Sequence, residues 1–148
     1  MSTYTQIIYH IVFSTKYRKK TLSKNNRTIL FKYMWGIVKN KKSILFQING
    51  IEDHLHILTS LHPSVALASF VKDLKLGSSK FINDQKLFEG FNSWQDGYSA
   101  FTHSNKDKAG ITEYIKNQEL HHKTKSFKEE LIDLFNEHGI EFDEKYLD

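Results

Sequence analysis

Residues 42–61, KSILFQINGIEDHLHILTSL, constrain the fold more tightly than any other stretch. Two runs rich in isoleucine, leucine and phenylalanine flank Asn49-Gly50, a pair that favours tight hairpins. The pattern predicts adjacent strands over 42–50 and 52–61. Upstream, TQIIYHIVFST (5–15) reads as a strand. Ser23 can cap a helix to about Asn40, with Ile29, Leu30, Tyr33 and Ile37 on one face. Downstream, Pro63 and Ser64 open a helix over 64–82, where Val65, Leu67, Ala68, Val71 and Leu74 recur at helical spacing. WQDGYSAFTHS (94–104) predicts a fourth strand, with Gly97 at a bulge. Ser104 and Asp107 form a capping pattern for a helix to about His122, and a last helix over 126–138 stops at Gly139. The order β-α-β-β-α-β-α-α predicts an α+β, ferredoxin- or RRM-like split β-α-β fold: an antiparallel sheet of four to five strands with helices on one face. The 148 residues hold no repeat, low-complexity run or linker, so 1–148 reads as one domain.

Charge is distributed unevenly. Residues 1–51 carry ten Lys/Arg and no Asp or Glu, whereas residues 126–148 carry two basic and eight acidic residues. A front third without a carboxylate suits phosphate-bearing partners, nucleic acid above all. The chain has no cysteine, which excludes disulfides and thiolate zinc sites and fits an intracellular location. No apolar run is long enough to cross a bilayer, and the N-terminus has no basic segment ahead of its apolar stretch, as a signal peptide would.

On a strand His54 and His56 point to one face, with Leu55 and Ile57 on the other. Two imidazoles so held can share a divalent cation, or they can simply sit on a polar face. Downstream, in AGITEYIKNQELHHK (109–123), Tyr114 and Gln118 are four apart and share a helix face. The amide oxygen of Gln118 is a hard ligand suited to Mg2+ or Mn2+. Tyr114 would lie one turn from such an ion, or pack as an ordinary amphipathic residue. His121 and His122 fit DNA contact or solvation better than metal ligation. His10, His62, His103 and His138 read as structural or exposed.

Taken in order, YHIVFSTKYRKKTL, DHLHIL, VKDLKLGSSKFI, WQDGYSAFT and EYIKNQ resemble one family, and the likeness extends to the tail HGIEFDEKYLD. It is the single-tyrosine HUH transposases of the IS200 insertion-sequence type, to which REP-associated tyrosine transposases are related. HUH denotes histidine, hydrophobic, histidine, here His54-Leu55-His56. The resemblance implies that His54, His56 and Gln118 hold the metal and that Tyr114, on a C-terminal catalytic helix, is the nucleophile. It also implies a homodimer in which the tyrosine helix of one subunit can complete the other's site. The expected substrate is single-stranded DNA bearing hairpins at element ends, and the expected location is the prokaryotic cytoplasm, at the nucleoid. The family's glycines before the tyrosine helix have one counterpart, Gly110, inside the predicted helix rather than before it.

The implied chemistry is cleavage and rejoining of a DNA strand through a 5′-phosphotyrosine. Tyrosine, with a pKa of about 10, can attack and later leave. One phosphodiester is exchanged for another, so no ATP is needed, and no G-x-x-x-x-G-K loop is present. Lys16, Arg18, Lys19 and Lys20 would contact phosphates, with Tyr17 stacking a base; Lys24 and Arg27 would continue the patch along the following helix. Lys32 and Lys39 extend that helix's basic surface, and Lys72, Lys75 and Lys80 are weaker candidates. Three other readings use the same residues: a domesticated nuclease cutting repeat hairpins, a metal-dependent phosphodiesterase that uses water, and a non-catalytic module binding single-stranded nucleic acid. An RNA-binding sheet signature of the K/R-G-F/Y-G/A-F-V-x-F/Y type is missing from the sequence.

Overall fold

The computed structural model describes residues 1–147. Strand β1 (Ile8–Ser14) leads through a short 3-10 turn to helix α1 (Lys24–Asn40); β2 (Ile44–Gly50) and β3 (His54–Ser60) form the hairpin; α2 (Leu67–Gln85) returns to β4 (Ser99–His103). Helices α3 (Lys108–Lys116), α4 (Gln118–His121) and α5 (Phe127–Glu137) complete the chain. The sheet runs β2-β3-β1-β4, antiparallel at every pairing, so the fold is the expected α+β split β-α-β. At the hairpin, a side chain on Gly50 would put its Cβ 2.2 Å from the His54 carbonyl oxygen, so only glycine fits the end of β2.

The two faces of the sheet are covered by different parts of the chain. Ile11 and Phe13 of β1 and Leu55 and Ile57 of β3 meet Leu30, Met34 and Val38 of α1 and Phe70, Val71, Leu74 and Ile82 of α2 in one apolar core. The opposite face carries His10, Val12, His54, His56, Leu58 and Phe101. There Ile115 of α3 packs on Ile8 and Leu58, and Phe127, Leu131, Leu134 and Phe135 of α5 pack on Val12 and Phe101. Helices α1 and α2 thus take one face as expected, while α3 and α5 roof the histidines.

Several boundaries differ from the sequence reading. Strand β4 is shorter than 94–104: Trp94 makes only an isolated bridge to Thr15, and Gly97 (φ 84°) serves a left-handed turn before the strand rather than a bulge within it. Helix α2 starts at Leu67 and runs on to Gln85. The buried stripe of α1 is Arg27, Leu30, Met34 and Val38, whereas Ile29 and Tyr33 are largely exposed; Tyr33 stacks on Phe81 at 4.0 Å instead. The expected single helix to His122 is interrupted at Asn117, between Tyr114 and Gln118. Asn49 explains the break, because its side-chain amide donates to the carbonyls of Ile115 and Lys116, both at 3.0 Å, and so closes the end of α3. Helix α5 begins with a capping box between Ser126 and Glu129.

Candidate active site

Strand β3 delivers His54 and His56 to the face under α3 and α5, both 0% exposed. Their neighbours fix the rings. His54 Nδ1 donates to Asp53 Oδ1 at 2.7 Å, which turns Nε2 inward. His56 Nδ1 lies 2.7 Å from His10 Nε2, which likewise turns His56 Nε2 inward. Helix α4 brings Gln118, also fully buried, so that its Oε1 is 3.1 Å from His54 Nε2. Tyr114 and Gln118, four apart and expected on one helix face, reach the same place across the break at Asn117.

Two further side chains occupy the centre. Glu130 of α5 places Oε1 3.1 Å from His54 Nε2, 2.9 Å from His56 Nε2 and 3.1 Å from His122 Nε2. Its Oε2 accepts from Gln118 Nε2 at 3.0 Å and from the Tyr114 hydroxyl. His122 Nδ1 donates to the Lys125 carbonyl at 2.7 Å, which commits its Nε2 to the cluster, 3.2 Å from Gln118 Oε1. His122 is therefore not solvated, against the expectation, and Glu130, which has no role in the sequence reading, joins it. Glu130 does leave a trace in the sequence. It lies three residues after Phe127 and four before Leu134, so it falls inside the apolar stripe of an amphipathic helix rather than on its wet face.

The electrostatics follow from this crowding. Burial alone would raise the Glu130 carboxyl, but the histidine contacts, His122 first, outweigh it and hold the group ionised far below the usual carboxylate range. Burial would lower His54, yet its bonds to Asp53 and Glu130 leave it raised. His56 goes the other way: burial outweighs Glu130 and lowers it to about 4. Burial, then the Glu130 carboxylate, pushes the Tyr114 phenol well above its ordinary value, so the hydroxyl stays protonated and donates.

The donor set fits a divalent cation. With Nδ1 of His54 donating to Asp53 and Nδ1 of His122 to the Lys125 carbonyl, both rings turn Nε2 toward Glu130 Oε1 and Gln118 Oε1. More acceptors than protons converge on one point, a conflict that a cation resolves. The ligand atoms of His54, His122 and Glu130 lie within 4.8 Å of one another and form the one His/Cys/Asp/Glu group of metal-binding geometry among the described residues.

The basic segment lies beside this site. Arg18 sets its guanidinium 4.9 Å from the Phe127 ring centre, and Phe127 stacks on His54 at 4.0 Å. Tyr17 (φ 58°) and Arg18 (φ 54°) are both left-handed, an uncommon backbone for bulky residues, and Tyr17 is 79% exposed. Lys16, Lys19 and Lys20 are exposed too. Arg27 is the exception to the expected basic patch. It is buried and ion-paired to Glu119 at 3.1 Å, joining α1 to α4, and Lys24 meets the same carboxylate at 3.2 Å. Helix α3 rests on β2 and β3, and Gly110 lies within that helix as expected. Among the described residues no helix is long and apolar enough to cross a membrane.

Comparison with known proteins converges on one group. The family described as "Transposase IS200 like" matches residues 3–118. ISDra2 transposase TnpA of Deinococcus radiodurans is 30% identical over 118 residues, covering 76% of this chain and 84% of that protein. The transposase for insertion sequence element IS200 of Salmonella typhimurium is 29% identical over 115 residues, covering 74% of this chain and 75% of its own. Among solved structures, a protein from Deinococcus radiodurans R1 superposes with a TM-score of 0.61 at 26% identity, covering 80% of this chain and 95% of its own. A REP-associated tyrosine transposase bound to a REP hairpin shares the fold, with a TM-score of 0.60 at 16% identity over 82% of this chain and 74% of its own.

Proposed function

This chain belongs to the IS200-like transposase family, and from that premise we propose that it cuts and rejoins single-stranded DNA at hairpin-bearing ends through Tyr114. The observation that carries the reading is the hydrogen bond from the Tyr114 hydroxyl to Glu130 Oε2, whose other oxygen sits among three histidine Nε2 atoms. A nucleophile and an ion site are thereby joined through a single carboxylate. The hairpin substrate is supported by the like-folded transposase solved with a REP hairpin.

His54, His56 and Gln118 would hold the divalent cation, Mg2+ or Mn2+, with His122 and Glu130 adjoining. Bound there, the ion would draw charge from a non-bridging oxygen of the scissile phosphate. The remaining chemistry belongs to the chain. The Tyr114 oxygen attacks phosphorus in line, the bond to the 3′ oxygen breaks, and a 5′-phosphotyrosine and a free 3′-OH result. Glu130 Oε2 accepts the phenolic hydrogen bond and so orients the Tyr114 oxygen, and the proton that the phenol loses balances the one that the 3′ oxygen gains. A second 3′-OH then attacks the phosphotyrosine and releases Tyr114. Lys16, Arg18, Lys19 and Lys20 would hold phosphates beside the site, and Tyr17 offers an exposed ring to a base. Lys24 and Arg27 lie behind them, engaged with Glu119. The resemblance adds a homodimer in which α3 can be exchanged between subunits.

The test is a denaturing protein gel after incubation with a pool of hairpin-bearing single-stranded oligonucleotides with randomised flanks. The wild type should give a covalent protein–DNA band that needs Mg2+ or Mn2+, and Tyr114→Phe should give none. Cleavage that persists in Tyr114→Phe without a covalent band would move the protein to hydrolysis by water and overturn the reading.

A further inference from the structure

We propose that the cavity beside Tyr114 lined by His10, His103, His138 and Glu137 binds one nucleobase of the DNA strand next to the phosphate that is cut. The proposal rests on the single-stranded DNA reading above. Two cavities meet at Tyr114. One, of about 320 Å3, contains Glu130 and His122. The other, of about 110 Å3, contains His10, His103 and His138; it adjoins the first along Tyr114, Leu134 and Glu137, and shares His103, Glu137 and His138 with a wider cleft of about 570 Å3 that passes Lys106. A strand whose phosphate rests on Tyr114 has one nucleotide to each side, and the second cavity receives the nucleotide that the ion side does not.

The walls of this cavity want a ligand. His10 Nδ1, His103 Nε2 and His138 Nε2 are all buried and without a hydrogen-bond partner, and His10 is only 1% exposed. A buried polar atom left unpaired costs roughly 1–3 kcal/mol, so three around one cavity are unusual for packing alone. His10 is also anchored, since its Nε2 meets His56 at 2.7 Å and its free nitrogen is held in place. The register explains how the rings gather: His10 pairs with Phe101 across β1 and β4, and His103 lies two residues along on the same face. His138, just beyond α5, stacks on Phe101 at 4.6 Å and meets His103 edge-on at 5.2 Å.

The chemistry selects a base over a phosphate. Among the described residues no Lys or Arg lines this cavity, the candidate ion ligands His54, His122 and Glu130 lie outside its lining, and burial lowers the pKa of His103. A flat, uncharged heterocycle with both donors and acceptors matches imidazole nitrogens beside the ring of Tyr114. Glu137 can only accept. It therefore favours bases with an exocyclic amino group, cytosine, adenine or guanine, over thymine, which has none.

Free nucleosides test the cavity without any cleavage. The imidazole resonances of the full-length protein are followed by NMR during titration with deoxycytidine, deoxyadenosine, deoxyguanosine and thymidine. The resonances of His103 and His138 should shift saturably with at least one amino-bearing nucleoside, and thymidine should bind at least fivefold more weakly. His62, which bonds Ser64 at 2.7 Å outside the cavity, is the internal control. Glu137→Gln, which adds a donor at nearly the same shape, should remove the discrimination against thymidine. No shift at His103 and His138, or equal response to thymidine in the wild type, overturns the proposal. The oligonucleotide pool then locates the base. Sequenced adducts of the wild type should show a preference at one position next to the cut, which His103→Ala relaxes at least tenfold at that position alone. An unchanged profile overturns the assignment of this base to the cavity. Complete absence of adducts in the wild type instead sinks strand cleavage itself, while the nucleoside result stands.

Discussion

Leu55 and Ile57 leave β3 on one side, and His54 and His56 leave it on the other; all four are 0% exposed. Equal burial hides opposite economics of contact. Under α1 and α2, burial removes apolar surface from water and needs nothing more. Under α3 and α5, the same strand buries the ring nitrogens of His54 and His56, which need polar partners: Asp53, His10, Gln118 and the Glu130 carboxylate of α5. The first face holds the molecule together, and the second keeps polar groups dry enough to act.

This contrast can be broken by substitution. Leu55→Ala should lose about 2–5 kcal/mol in urea unfolding, as large-to-small core changes do, while the folded fraction retains its adduct-forming activity. A loss of adduct in folded Leu55→Ala protein would mean the two faces are not separable. The next effect is on acid stability in EDTA. His56 titrates at about 4 when folded and near 6.5 when unfolded, so the unfolded chain takes up the proton first as pH falls. Its contribution is intact above about 6.5 and is lost toward 4, by up to about 3 kcal/mol. His10, also lowered, acts in the same direction. His54 is raised, so its contribution is complete below about 6.5 and fades only on the alkaline side. Stability measured by urea at pH 7 and pH 5 should therefore be lower at pH 5, and a flat profile would show that the histidine face is more hydrated than its geometry implies.

Smaller effects sharpen the comparison. His56→Ala should reduce adduct yield about a hundredfold, roughly 2.7 kcal/mol of barrier, while disturbing the urea midpoint less than Leu55→Ala does. The reverse ranking would make the histidine face the main structural one. Asn49→Ala should cost about 1 kcal/mol at most, since it frees the end of α3 without opening the core. Its signature is faster amide hydrogen exchange at Tyr114 to Gln118 with β3 unchanged.

What could be read from the sequence follows the same division. Alternation in β1 and β3 and helical spacing in α1 and α2 report an apolar face, because burial of hydrocarbon leaves a period in the chain. Even so, residue type alone misplaces the stripe on α1. Ile29 and Tyr33 look like core residues by type, but Met34 and Val38 with Leu30 form the side that meets the sheet, and Arg27 joins them through Glu119. The histidine face leaves no such period. Tyr114 and Gln118 could be paired because they lie four apart, whereas Glu130 stands twelve residues beyond Gln118 and 74 beyond His56. A carboxylate in an acidic C-terminal third reads as solvated until the fold sets it among histidines. Asn117 could not be read as a break either, since the amide that closes α3 comes from Asn49, 66 residues away from Ile115.

The span from His10 to Glu130 also governs when the centre comes into being. A ribosome delivers the chain from its N-terminus, and the sheet can close once β4 has emerged. At that moment His54 and His56 are present, yet Tyr114, Gln118, His122 and Glu130 are still to come or still to dock. A chain that stops before α3 therefore lacks Tyr114, Gln118, His122 and Glu130, and leaves Ile8, Val12, Leu58 and Phe101 without the residues that cover them.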